Sequence, residues 1–211
     1  MKKKINPNRM ELFRLRKRLV LAQRGHKLLK DKVEGLVREV SELLERYVVV
    51  RKEFDEQFPQ LLARFTMATA VAPHGAVAEA AAQNASRAEL RVDARRVMGV
   101  SVPVFQAPPL PAAYRYSFTQ TPPELDVAFE ELRKLPGRLF ELATIERSLL
   151  LLARELATAR RRTNALEHVL IPELREQCHD IEQKISEQER SNISRLMKIK
   201  DMLMAPERRS S

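Results

Sequence analysis

The stretch that decides the fold runs from Leu12 to Phe54 and reads LFRLRKRLVLAQRGHKLLKDKVEGLVREVSELLERYVVVRKEF. Its apolar residues recur at alternating steps of three and four, the spacing of a coiled-coil seam. A seam of this length predicts a long helix that buries one face against another helix. The seam positions assigned in this helix include Leu15, Leu19, Ala22, His26, Leu29, Val33, Leu36, Val40 and Leu43.

A second apolar ladder occupies the C-terminal part of the chain. The steps from Leu170 through Leu174 to Cys178 are four residues each, a stutter that locally unwinds a coiled coil beside Pro172. The two ladders predict a mainly α fold: a long antiparallel two-helix coiled coil of the N- and C-terminal helices, with a central short helix and a small β-hairpin. The assigned positions of this second seam include Leu142, Ile145, Leu149, Leu152, Leu156, Ala159, Thr163, Leu166, Leu170, Leu174, Cys178, Ile181, Ile185, Leu196, Ile199 and Leu203.

The composition suits long helices. Five glycines and no tryptophan in 211 residues disfavour a turn-rich β fold, and a single cysteine excludes an internal disulfide framework. No stretch reaches the roughly 18 uncharged apolar residues that a membrane span needs. The basic N-terminus is not followed by the apolar region of a secretory signal. We therefore expect a soluble protein of the cytoplasm.

The positive charge is concentrated at one end of the sequence. Residues 1–30 contain eleven Lys or Arg and one acid, Glu11, so the whole net charge of +10 lies there. Antiparallel helices would bring Lys198 and Lys200 to the same end. A concentrated positive tip predicts an acidic or polar partner surface. The residues assigned to this basic tip are Arg9, Arg14, Arg16, Lys17, Arg18, Lys198 and Lys200.

Proline and glycine divide the chain. Asn6 and Pro7 form a helix-start signal, and Pro59 predicts the end or a kink of the first helix after Phe58. A short helix is predicted over 76–91, and a break at Pro136-Gly137. The predicted domains are an N-terminal helix over 1–58, a middle region over 59–122, a C-terminal helix over 123–205, continuous from about residue 138, and a tail over 206–211.

The middle region contains two runs in which the apolar period is two. They flank the proline-rich stretch 107–111, and the pattern predicts a β-hairpin with a stiff loop. The strand residues assigned to it are Val100, Val102 and Val104 in the first run and Tyr114, Tyr116 and Phe118 in the second.

No catalytic, cofactor or metal motif is present in the sequence. The glycines are too scattered for a phosphate-binding loop, and the four histidines lack metal-ligand spacing. We therefore predict a protein that is not an enzyme and holds no cofactor. His26 on the seam is interpreted as a register-fixing polar residue in preference to a pH switch. The run 160–162 of three arginines is interpreted as a solvated face in preference to a phosphate site.

Four stretches together resemble a known family, the D subunits of the archaeal and bacterial V-type rotary ATPases. They are NPNRMEL at 6–12, RLVLAQRGHKLLKDK at 18–32, RRTNALE at 161–167 and LIP at 170–172. The resemblance covers both long helices, whereas Pro136-Gly137 departs from the uninterrupted helix of the family.

The resemblance implies a central rotor shaft that transmits torque between a catalytic hexamer and a membrane ion-translocating ring. It implies that the terminal tip inserts into the hexamer of alternating A and B subunits and that a small F subunit binds the side of the coil. It also implies that the hairpin end faces an adaptor, the C/d subunit, and that the shaft is peripheral to the membrane, in the V1 sector.

Two other functions remain open on the sequence alone. A basic coiled-coil scaffold or nucleic-acid-associated protein would use the same positive end on phosphate, and its binding would fall steeply with salt. The stalk of a related export ATPase would share the two-helix plan, but it is not expected to carry the hairpin.

Overall fold

The structure is a computed structural model that describes residues 8–83, 90–106, 116 and 122–204. The predicted mainly α fold, with a long helix from each end of the chain, a short helix and a two-stranded antiparallel sheet, is confirmed. In chain order the elements are α1 (Arg9–Val71), α2 (Ala76–Gln83), β1 (Arg91–Val97), β2 (Val100–Gln106), α3 (Pro123–Ala165), a π-helical turn (Leu166–Leu170) and α4 (Ile171–Met204).

The chain divides into two compact units. The first unit combines α1 as far as Val33 with the chain from Thr158 onward, and the second unit is formed by Glu34–Ala157. In the first unit Leu15 packs in a buried cluster with three residues of α4, Leu174, Cys178 and Ile181.

Contacts between the helices fix an antiparallel direction in each unit. In the first unit Arg16 pairs with Glu182, and His26, later in α1, meets Glu167, earlier in the chain. In the second unit Tyr47 donates to Glu146, and Arg64 pairs with Glu131. Ascending positions in α1 therefore meet descending positions in the C-terminal part of the chain.

Pro59 and Pro136 lie within continuous helices, so a helix end at Pro59 and a helix break at Pro136-Gly137 are wrong. α1 passes Pro59 and ends at Val71, and α3 passes Pro136 without interruption. Each proline removes one helical hydrogen bond, but the helix on its far side is held by burial. Leu61 follows Pro59 and Leu142 follows Pro136, and both are buried. Tertiary packing therefore outweighs the local cost of each proline.

Other predicted boundaries can be compared with the described elements. The short helix begins at Ala76 but ends at Gln83, and Arg91, its predicted last residue, is the first residue of β1. The N-cap prediction for Asn6 lies outside the described residues. The start of the C-terminal helix at Pro123 agrees with the predicted boundary at 123.

The stutter beside Pro172 takes the form of a π-helical turn. The amide of Ile171 donates to the carbonyl of Leu166, five residues earlier. Leu170, assigned to the seam from the sequence, is 36% exposed, whereas Ile171 is only 8% exposed. The seam assignment of Leu170 is therefore wrong, because the turn inserts one extra residue and the seam continues from the half-buried Leu166 to the buried Ile171.

Candidate interaction surfaces

Most of the residues assigned to the seam lie on the covered face of their helix. Leu15 and Leu36 are buried in α1, and Thr163 and Ile181 are buried in the C-terminal part. The other seam residues of the first list, from Leu19 to Leu43, are half-buried, as are Leu156, Leu166 and Ile185. The sequence period therefore identified the packed face of both helices.

His26 is half-buried beside Glu167. Its Nε2 lies 3.2 Å from the Glu167 Oε2, and the imidazole side chain is 21% exposed. Gly25 and Leu166, which precede the two residues of the pair in sequence, line an open apolar hollow of about 240 Å³ together with Leu170 and others. The contact supports the register interpretation, because it ties α1 to the start of the π turn.

Cys178 lies within the buried cluster of the first unit. Burial raises the pKa of its thiol, and the neighbouring Glu182 raises it further, while Arg16 acts in the opposite direction. A thiol with a raised pKa carries little of the reactive thiolate at neutral pH. Cys178 is therefore a packing residue of the seam.

The arginines of the basic tip are only partly free to meet a partner. Arg9 pairs with Glu189, which raises the pKa of the Arg9 guanidinium, and Arg16 pairs with Glu182 at 2.9 Å. Arg14 lies 3.5 Å from its neighbour Glu11. Exposed pairs of this kind stabilise a protein little, because water and salt screen them, so a stronger acidic partner could displace them.

Lys17 and Arg18 complete the N-terminal part of the tip. The Lys17 ammonium lies 4.4 Å from the centre of the Phe13 ring, and Arg18 is exposed. Lys198 and Lys200 are exposed on α4. All seven residues of the predicted tip thus lie in the first unit.

The last turns of α4 expose apolar residues that the sequence placed on the seam. Leu196, Ile199 and Leu203 are 64%, 50% and 71% exposed. Arg9, in the first turn of α1, already pairs with Glu189, so the described part of α1 offers nothing to cover the later turns. The seam assignment of these three residues is wrong, and they form an exposed apolar surface between the basic side chains.

In the hairpin, the strand that pairs with β2 is not the one predicted from the sequence. β2 contains Val100, Val102 and Val104 as predicted, but it pairs with β1, which precedes it in sequence. Tyr116 is not part of this sheet; it stacks on Phe129 at 5.5 Å between ring centres and donates to Asp126. The other two assigned residues, Tyr114 and Phe118, lie outside the described residues.

The composition of β1 hides its strand character, since RVDARRV is mostly charged. The stronger local signal was the turn: Met98 and Gly99 both have positive φ, at 49° and 82°. Two such residues form the type I′ turn that two-residue hairpins prefer. Gly99 could have located the turn, whereas nothing marks Met98.

The three arginines of residues 160–162 are exposed, as the solvated-face interpretation requires. Within the described ranges 8–83, 90–106, 116 and 122–204, no cluster of three His, Cys, Asp or Glu could hold a metal ion. None of the described helices combines the length and the apolar character that crossing a bilayer takes.

Comparison with known proteins decides the family. The sequence profile of the ATP synthase D subunit matches residues 11–201. The chain belongs to the ATP synthase D-subunit family. Its relatives in that family include the V-type ATP synthase D subunit of Clostridium novyi, 40% identical over 204 residues that cover 94% of each chain. The corresponding protein of Acetivibrio thermocellus is 40% identical over 95% of this chain and 92% of its own.

A third relative, the V-type ATP synthase D subunit of Clostridium botulinum, is 39% identical over 96% of each chain. Such coverage includes both long helices and the region between them. Membership of the D-subunit family thus applies to the chain as a whole, including the second unit.

Proposed function

We propose that the chain is the central rotor shaft of a V-type ATP synthase and transmits torque between a catalytic hexamer and a membrane ring. The observation that supports this role best is the antiparallel pairing of α1 with the C-terminal helices, tied by side-chain pairs in each unit. Paired helices resist bending and twisting, which torque transmission requires.

The first unit has the features of an end that works inside other subunits. Exposed basic residues such as Lys17 and Lys200 alternate with exposed apolar ones such as Leu196 and Leu203. A surface that combines both is suited to contacts that are strong enough to bind and weak enough to be exchanged. In the proposed role this end inserts into the hexamer of A and B subunits.

The remaining partners follow from the same role. The F subunit would bind the side of the coil, and the adaptor, the C/d subunit, would receive the hairpin end. The shaft itself would catalyse nothing and would bind no cofactor, and it would be peripheral to the membrane in the V1 sector.

Reconstitution tests the proposal. The purified chain is mixed with the A, B and F subunits, and complex formation is followed by size-exclusion chromatography together with the ATPase rate. We expect one chain per hexamer and a changed turnover, with no hydrolysis by the chain alone. Failure to associate with folded partners would contradict the rotor role.

The exposed arginines are also compatible with the second candidate function, a nucleic-acid-associated scaffold. Binding to duplex DNA is measured over a range of salt concentrations, since phosphate contacts produce a steep salt slope. We expect weak binding. Tight binding with a steep slope, together with failure to join the hexamer, would support the scaffold function.

A further inference from the structure

The two edges of the hairpin differ, and the difference follows from its register. Val97 pairs with Val100 across a two-residue turn, so these two residues exchange both backbone hydrogen bonds. The pattern then alternates along the strands. Backbone hydrogen bonds likewise join the two residues within each of the pairs Arg95–Val102, Asp93–Val104 and Arg91–Gln106. In the pairs between these, both residues direct their peptide groups outward, away from the partner strand.

On β2 two of the three outward-directed amide positions are already accounted for. Pro103 has no N–H to offer, and the amide of Phe105 donates to the Thr144 hydroxyl of α3 at 3.0 Å. Both observations agree with the register, because an inward-directed Pro103 would have broken the ladder. At these two positions the β2 edge is closed by proline and by α3.

On β1 the outward-directed peptide groups belong to Val92, Ala94 and Arg96. No backbone or side-chain partner for these three peptide groups is found among residues 8–83, 90–106, 116 and 122–204. Open edges are sites at which another extended chain can pair. A strand added here would receive about three residues of ladder hydrogen bonds on the side that faces away from β2.

The charge of β1 indicates which kind of chain would pair. Arg91, Arg95 and Arg96 are all exposed, and they project from both faces because 95 and 96 are neighbours in a strand. The one acid, Asp93, accepts a hydrogen bond from the Gln106 side-chain amide. An incoming strand with carboxylates on either face would therefore meet a guanidinium.

We propose that the β1 edge is a docking site for an extended acidic segment of another protein, which adds to the sheet as a third strand. Main-chain hydrogen bonds to Val92, Ala94 and Arg96 supply the pairing, and the three arginines select for acidic side chains. The proposal concerns the second unit alone and does not depend on the rotor role.

The probe is an acetylated and amidated heptapeptide of alternating Glu and Val with a fluorescent label, titrated with the full-length chain and followed by anisotropy. Ala94→Pro is the test variant. It removes one outward N–H and leaves the ladder intact, as its cross-strand partner Pro103 already does on β2. Ala94→Val is the matched control, because it keeps the N–H.

We expect saturable binding that is at least about tenfold weaker for Ala94→Pro and within about twofold of wild type for Ala94→Val. A peptide N-methylated along the edge that faces β1 should bind wild type about as weakly as the unmodified peptide binds Ala94→Pro. Arg91→Gln with Arg96→Gln should weaken binding and reduce its salt dependence. No binding by wild type, or equal binding by Ala94→Pro, would mean that the arginines only prevent self-pairing of the edge, and it would overturn the proposal.

Amide exchange in the free chain supplies a second, independent result. The amides of Asp93, Arg95 and Val97 should exchange slowly and those of the outward set, Val92, Ala94 and Arg96, rapidly. The peptide should slow the outward set. Slow exchange of all six amides without peptide would show that the chain covers its own edge, and it would contradict the proposed docking site.

Discussion

Met98, at the tip of the hairpin, packs so closely on Gly35 of α1 that a Cβ added to Gly35 would overlap the terminal methyl of Met98. Met98 adopts a left-handed backbone conformation, which is costly for a residue with a side chain. The missing side chain of one residue thus makes room for the other, and the contact holds the hairpin tip against the helix.

Gly35→Ala should displace the Met98 side chain. The added methyl group would overlap the end of that side chain, which is flexible and 42% exposed and can therefore move away. The lost contact offsets the gain in helix propensity, so we expect the free energy of unfolding to change by less than about 0.5 kcal/mol. Urea denaturation measures the change. Gly25→Ala is the matched control in the same helix, because its Cβ would meet nothing within 4 Å and should stabilise the helix by about 0.5–1 kcal/mol. Equal effects of both variants would show that the hairpin does not depend on this contact.

Deleting Val169 should remove the π turn. Val169 is 62% exposed, and its loss would shorten the seam step from Leu166 to Ile171 from five residues to the four of a regular seam. We expect a gain of about 1 kcal/mol, which is about 2–4 °C in melting temperature for a chain of this size. Calorimetry measures it, with Val169→Ala as the control for the side chain alone. A large fall in melting temperature would show that the π turn is needed for packing.

The hydrogen bond from Tyr47 to Glu146 should contribute stability only while Tyr47 is protonated. The bond to the Glu146 carboxylate is the main cause that raises the Tyr47 pKa above its ordinary 10.0, and Arg51 opposes it. Because the folded-state pKa is the higher one, the contribution is complete below pH 10.0 and is lost as the pH rises through the folded-state value. The test compares urea midpoints of wild type and Tyr47→Phe, whose difference should shrink only at alkaline pH. A difference that stays constant through the alkaline range would contradict the role assigned to the Tyr47 hydroxyl.

Neutralising the basic tip should weaken its assembly with the hexamer. We expect Arg14, Lys17 and Arg18 changed together to Gln to slow association roughly tenfold at low salt and to flatten its salt dependence. Surface-plasmon measurements at several salt concentrations give both quantities. The matched control is Arg9 and Arg16 changed to Gln, which should have a smaller effect because each already pairs with a glutamate of α4. An unchanged salt slope in the first variant would contradict the role assigned to the tip.

The helices could be predicted from the sequence because their apolar period follows burial directly. Leu36 and Leu152, both fully buried, lie where alternating steps of three and four place them. The rule that proline ends a helix gave wrong boundaries at Pro59 and Pro136, because it takes no account of the packing downstream that offsets the cost of each proline. The family could be identified from motifs of the two long helices alone.

The identity of the strand β1 and the π-helical form of the predicted stutter could not be read from local sequence. β1 carries no alternating apolar pattern, because only the register with β2 makes RVDARRV a strand. Whether Leu170 or Ile171 occupies the seam depends on the one residue that the π turn inserts. Both side chains are apolar, so the sequence does not distinguish them. The sequence also does not show why residue 35 is glycine, because the reason is the contact with Met98, which only the structure reveals.

The exposed last turns of α4 have a thermodynamic consequence. From Arg190 to Leu203 every residue is exposed, so these turns gain no free energy from packing and only extend a helix whose earlier turns are packed. We expect them to fray before the rest of α4 on heating. A partner that covers their apolar residues should bind with a large negative heat-capacity change.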